Sequence, residues 1–154
     1  MGSAALGYMI DEVAAPLQVR PRVMIVEDYV LIQESIRLVL ERDCDVVATA
    51  EDAESALAVA TELRPDVVTI DVSLPDFNGF TVMEKMLSAN PGVNVIFVTA
   101  HSEQNYIERA FAAGAKGYVL KGSIQTELPA AIREVMAGRR FVSPLARGRF
   151  NLKV

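Results

Sequence analysis

From Arg22 onward the chain alternates short apolar runs with amphipathic stretches. RVMIV (22–26) is almost continuously apolar and rich in β-branched residues. A strand buried on both faces reads this way. The run ends at two acids, Glu27 and Asp28. Ile32, Ile36, Val39 and Leu40 then recur at helical spacing, and DVVATA (45–50) predicts a second strand. Asp52 stands where a helix cap belongs, ahead of a face made by Ala53, Ala56, Leu57 and Ala60. Arg64-Pro65 ends that helix.

The same alternation continues to Gly138. DVVTI predicts a third strand, ending at Asp71, and LPDFNG (74–79) is turn chemistry. Met83, Met86 and Leu87 mark a third helix, stopped by Asn90-Pro91-Gly92. VNVIFV predicts the fourth strand. Ser102 is placed to cap a fourth helix with Ile107, Ala110 and Phe111 on one face, and Gly114 closes it. KGYVL predicts the fifth strand. Leu128, Ala131, Ile132 and Val135 mark a fifth helix before Gly138. Short strands joined through helices form a parallel sheet with helices on both faces. The expected fold is therefore α/β, a doubly wound five-stranded parallel sheet in a single domain.

Composition adds limits. A length of 154 residues suits one domain. The 51% apolar and 23% charged residues are those of a globular protein. A single cysteine, Cys44, excludes an internal disulfide framework or a Cys-rich zinc site, and one histidine, His101, weakens any His-based metal site. The run of about 18 apolar residues needed to span a membrane is missing, and the N-terminus lacks the pattern of a secretory signal. A cytoplasmic protein with no membrane partner is expected. The net charge is −5, but residues 139–154 hold five bases (Arg139, Arg140, Arg147, Arg149, Lys153) and no acid. We read 1–20 as an N-terminal tail, 21–140 as the folded domain and 141–154 as a basic tail or linker remnant. The acidic balance argues against direct nucleic-acid binding.

In open parallel sheets ligands bind beyond the carboxyl ends of the strands. Here those ends carry Glu27 and Asp28, then Asp71, Thr99 and Lys121. Three carboxylates brought close together repel, and a hard divalent cation such as Mg²⁺ resolves this. One carboxylate can then act as a nucleophile toward a phosphoryl group. Each residue also has a simpler reading. Asp28 could cap the first helix, Thr99 the fourth, and Lys121 could be a solvated lysine.

Taken together, these residues from Arg22 to Gly138 resemble the receiver domain of bacterial response regulators, the flavodoxin-like, CheY-like (βα)5 fold. The resemblance rests on Glu27-Asp28, Asp71, Pro75 and Gly79 after it, Thr99 followed by Ala100, and Tyr118 three residues before Lys121. It implies a phosphorylation-dependent signalling module of a two-component system, not a turnover enzyme. Asp71 would accept a phosphoryl group from a histidine kinase or phosphotransfer protein, in a transfer the domain itself catalyses. Glu27, Asp28, Asp71 and the Ser73 backbone carbonyl would hold Mg²⁺. Lys121 and Thr99 would bind phosphoryl oxygens, and Thr99 and Tyr118 would form the switch. Tyr118 would turn inward on phosphorylation, changing the surface of helix 4, strand 5 and helix 5. Ser73 and His101 occupy positions that tune dephosphorylation.

Two features depart from the simplest pattern. Glu27 stands where Asp is commoner. Pro129 would remove a backbone bond inside the fifth helix, so that helix should start late or kink. The run GRRFVSP (138–144) resembles the end of receivers of the NarL/FixJ type, in which a DNA-binding domain follows. The chain is then either a single-domain receiver, which could form a homodimer, or a piece of a longer regulator. Rival readings remain. A haloacid-dehalogenase-type phosphatase would want an acid where Ser73 stands. A flavodoxin-like cofactor binder would want a hydroxyl- or Gly-rich loop where Glu27-Asp28-Tyr29 stands. A receiver that binds partners without phosphorylation is the third.

Overall fold

The computed structural model describes residues 20–74 and 79–147. Six strands form one parallel sheet: β1 (Arg22–Val26), β2 (Asp45–Ala50), β3 (Val67–Ile70), β4 (Asn94–Thr99), β5 (Gly117–Leu120) and β6 (Phe141–Val142). Their spatial order is β2-β1-β3-β4-β5-β6. The helices are α1 (Val30–Leu40), α2 (Ala53–Leu63), α3 (Gly79–Ala89), α4 (Gln104–Ala112), α5 (Ile124–Met136) and the single turn α6 (Pro144–Arg147).

Strand periodicity divides the core between the two faces. Val23 and Ile25 of β1, with Ile96 and Val98 of β4, pack with Ile36 and Leu40 of α1 and Leu128 and Ile132 of α5. Met24, Val26, Val95 and Phe97 point the other way, onto Ala53 and Ala56 of α2, Phe80 and Met83 of α3, and Ile107 of α4. Side chains alternate across a pleated strand, so each strand needs apolar residues at every position when both faces are covered. This is why the strand runs read as continuous.

Helix ends follow local chemistry. Asp52 accepts a hydrogen bond from Ser55 N at 2.9 Å, capping α2 as expected. Arg64 ends that helix in the left-handed conformation, φ 48°. Helix α4 starts later than expected. Glu103, not Ser102, holds its cap position, and without a side-chain cap bond. Pro129 lies within α5, yet the helix runs from Ile124 without a late start, led in by a 3-10 turn at Lys121–Ser123.

The sheet has one strand more than the five expected. Phe141 and Val142 pair in parallel with Gly117 and Tyr118. Two residues carry no detectable period, which is why the run reads as tail from sequence alone. Tertiary bonds define this strand: Phe141 N donates to Lys116 O and Ser143 N to Tyr118 O. Residues 141–147 are thus packed on the domain. At the other end Arg20 is fastened through its guanidinium to Asp45 and to the carbonyls of Glu41, Arg42 and Cys44. The expected tails at 1–19 and 148–154, and Pro75 in the turn after Asp71, lie outside the described residues. Among the described residues no helix is long and apolar enough to cross a membrane.

Candidate functional site

The carboxyl ends of β1, β3, β4 and β5 meet at one edge. Register brings the residues together. Val26 pairs with Ile70, so Glu27 and Asp71 leave adjacent strands side by side, and Thr99 pairs with Leu120, the residue before Lys121. Glu27, Asp28 and Asp71 each present a carboxylate oxygen, and these oxygens lie within 4.8 Å of one another. Glu27 and Asp71 are buried, and Asp28 is half-buried.

Lys121 is the counter-charge. Its Nζ lies 2.8 Å from Asp71 Oδ2 and 3.1 Å from Glu27 Oε1. The latter contact is an ion pair, and buried Glu27 Oε1 has no hydrogen bond among the described residues. Asp71 Oδ1 accepts from Ser73 N at 3.0 Å and Glu27 Oε2 from Tyr29 N at 3.1 Å. Gln33, buried on α1, donates to the Glu27 carbonyl. Asp28 is not spent as a helix cap, for Tyr29 holds the cap position of α1.

Burial pushes the Glu27 carboxyl above its ordinary value. The Tyr29 amide and Lys121 offset this in part, and the Asp71 charge adds to it. Burial also works against the Lys121 charge, but the Asp71 and Glu27 carboxylates beside it outweigh this and the ammonium is held above its ordinary range. The site is therefore rich in anionic oxygen, with the Lys121 ammonium against it. Hard oxygen donors, one of them buried with an ion pair but no hydrogen bond among the described residues, fit a small divalent cation such as Mg²⁺. The chemistry of the donor set excludes a soft-metal site.

Around this centre stand the remaining expected residues. Thr99 is buried, and its Oγ1 accepts from His101 N at 3.3 Å. Ser73 Oγ and His101 Nε2 lie 2.9 Å apart, bridging the loops after β3 and β4. His101 Nδ1 is 3.4 Å from Glu103, and its ring stacks on Tyr106 at 4.5 Å. Tyr118 lies inward, its ring fully buried beside Phe97 and its hydroxyl donating to His101 O at 2.7 Å. Burial, then the charges of Glu103, Tyr106 and Asp71, raise its phenol above the ordinary value.

Gly79 has a structural reason that spacing did not reveal. A Cβ there would lie 2.9 Å from Val72 Cα and closer still to the Asp71 carbonyl oxygen. Only glycine lets α3 start against the backbone that carries Asp71. Gln33 was also missed, although a polar residue at spacings of three and seven from buried Ile36 and Leu40 is a readable signal.

Comparison with known proteins places this geometry. The response regulator receiver domain family matches residues 23–133. The response regulator GacA of Pseudomonas viridiflava is 38% identical over 134 residues, covering 86% of this chain and 63% of that protein. The chain thus spans less than two thirds of that relative's length. A two-component response regulator of the LuxR family from Aurantimonas sp. SI85-9A1 superposes with a TM-score of 0.81 at 34% identity, covering 84% of this chain and 94% of that one. RcsB, solved as two dimers on two parallel DNAs, shares the fold at a TM-score of 0.78 and 24% identity, covering 85% of this chain and 67% of that one. The expectation against direct nucleic-acid contact finds no support in the comparisons. The chain is a member of the response regulator receiver domain family, the receiving module of two-component signalling.

Proposed function

We propose that Asp71 is the phosphoacceptor of a cytoplasmic receiver, taking its phosphoryl group from a phosphohistidine on a histidine kinase or phosphotransfer protein. The observation that carries this reading is the Lys121 ammonium 2.8 Å from Asp71 Oδ2, beside two further carboxylates. An Asp71 oxygen attacks phosphorus as the phosphorus–nitrogen bond to the donor breaks. Lys121 transfers its contact from the carboxylate to a phosphoryl oxygen, as a compact point charge. The Thr99 hydroxyl binds another oxygen. Glu27, Asp28, Asp71 and the Ser73 carbonyl hold Mg²⁺, which supplies charge neutralisation at the transferring group. Positioning and electrostatics do most of the catalysis in such transfers. The exposed Tyr29, Val30 and Leu31 beside the site offer an apolar landing for the donor.

The output is a population shift between two arrangements of the loop after β4 and of Tyr118. Inward Tyr118 is one of them, and a phosphoryl group stabilises it by holding Thr99. A switch-like response needs a preference of about 3–5 kcal/mol. Ser73 and His101, bridged across the mouth, set how fast water reaches the acyl phosphate. The chain covers 63% of GacA, and the switch serves either a single-domain receiver or the receiver module of a longer DNA-binding regulator. The test is labelling with acetyl phosphate and Mg²⁺. The wild-type protein gains one phosphoryl group, and Asp71→Asn gains none. Labelling that persists in Asp71→Asn overturns the assignment.

A further inference from the structure

The segment after α5 is bonded to the part of β5 that serves the site. Ser143, fully buried, is its anchor. Its N–H donates to Tyr118 O at 2.9 Å, its Oγ accepts from Leu120 N at 3.0 Å, and the same hydroxyl donates to Glu127 of α5. Val142 and Ala146 are buried in the same apolar cluster as Tyr118, Phe111 and Ala115. Leu120 immediately precedes Lys121, the partner of Asp71. Tyr118 is held at both ends, by Ser143 through its backbone and by the His101 carbonyl through its hydroxyl.

The segment is also poised to leave. It is a two-residue strand and one helical turn, and its connection to α5 runs through Gly138 (φ 84°) and the exposed Arg139 and Arg140. Leu145, on its outer side, is 74% exposed. A strand of two residues and a single helical turn hold little structure of their own, so the order of the segment depends on its docking. On leaving, Leu120 N and the Glu127 carboxylate would turn to water, and Tyr118 would lose the apolar wall that keeps it inward.

We propose that residues 141–147 are a strap whose docking on the β5 edge is coupled to the phosphoryl group on Asp71, so that the occupied site tightens the strap. The β5 edge and α5 are the docking surface, and the chain's own FVSPLAR segment is the occupant. The inference rests on Asp71 being the acceptor. It adds that the signal leaves along β5 and β6 into whatever chain follows, as well as through the face of α4. Coupling of this kind is reciprocal. A loaded site protects the strap, and a weakened strap lowers the affinity for the load.

Two measurements test it, with Mg²⁺ and beryllofluoride as the phosphoryl mimic. Hydrogen exchange at the Phe141 and Ser143 amides, which donate to Lys116 O and Tyr118 O, should slow about tenfold on loading the wild-type protein. Ser143→Ala, which removes the bonds to Leu120 and Glu127, should bind beryllofluoride about fivefold more weakly. Val142→Ala, which keeps those bonds and trims the apolar contact, should fall between. Protection of α1 amides checks that each variant is folded. Unchanged exchange at Phe141 and Ser143 in a wild-type protein that does bind the mimic overturns the strap, as does wild-type affinity in both variants. Failure of the wild-type protein to bind the mimic at all would overturn the assignment of Asp71 and the strap with it.

Discussion

Lys121 Nζ sits 2.8 Å from Asp71 Oδ2, so the one ammonium of the site already holds the carboxylate it would later help to phosphorylate. It also faces Glu27 at 3.1 Å. Removing it leaves two buried carboxylates without a counter-charge. Lys121→Met should therefore lower stability in chelator by about 1–3 kcal/mol, below the full value of a deeply buried pair because the lysine side chain keeps 18% exposure. Mg²⁺ should restore part of this, since it meets the same two carboxylates. Thermal melts with and without Mg²⁺ measure both effects. A variant as stable as wild type in chelator would mean that the pair contributes nothing to the fold.

Glu27 gives a pH signature. Burial raises its carboxyl in the folded state, so the fold binds a proton that the unfolded chain releases. Such a group contributes stability below the unfolded value of 4.5, and loses it as pH rises through the folded value. At neutral pH without metal, charged Glu27 thus costs stability. Glu27→Gln should melt higher than wild type at pH 7 in chelator, and the gap should close below about pH 4.5. Added Mg²⁺ should reverse the order, because it stabilises the protein with the intact acids by mass action. Parallel melts whose order never changes with Mg²⁺ would remove Glu27 from the metal set.

Ser73 and His101 share one bond across the mouth of the site, at 2.9 Å. Either Ser73→Ala or His101→Ala breaks it and opens the path to solvent. One bond is worth about 1 kcal/mol, so each change should shorten the phosphoryl lifetime about fivefold. The double variant should be little worse than either single one, since both remove the same interaction. Decay of labelled protein after donor removal measures this. Additive effects would mean that the two residues act separately.

The strand ends were readable because each closes an apolar run with a residue of distinct chemistry. Glu27, Asp71, Thr99 and Lys121 announce themselves where β-branched positions stop. The parallel order then brings them to one edge. What escaped reading was tertiary. Strand β6 is two residues long, and its stability comes from Ser143 reaching Leu120 and Glu127. The inward Tyr118 depends on the His101 carbonyl, 17 positions away. The bridge from Ser73 to His101 spans 28. Contacts between loops leave no period in either segment. Pro129 misled in the other direction, because packing of Leu128, Ala131 and Ile132 holds α5 together through the missing bond.

Gly79 tests how tightly the acceptor's backbone is held. The first residue of α3 donates its N–H to Val72 O at 2.9 Å, and the place of its Cβ is taken by the backbone of Asp71 and Val72. These are main-chain atoms, which cannot rotate away as a side chain can. Gly79→Ala should cost about 1–3 kcal/mol by overpacking, read from the urea midpoint. The strain falls on the residue that presents Asp71 to Lys121, so labelling by acetyl phosphate should slow more than the stability loss explains. The comparison that isolates this is Ala56→Gly, which loosens α2 within the same apolar cluster, away from the carboxylates. If both variants label at the wild-type rate once folded, the close approach of α3 serves packing alone.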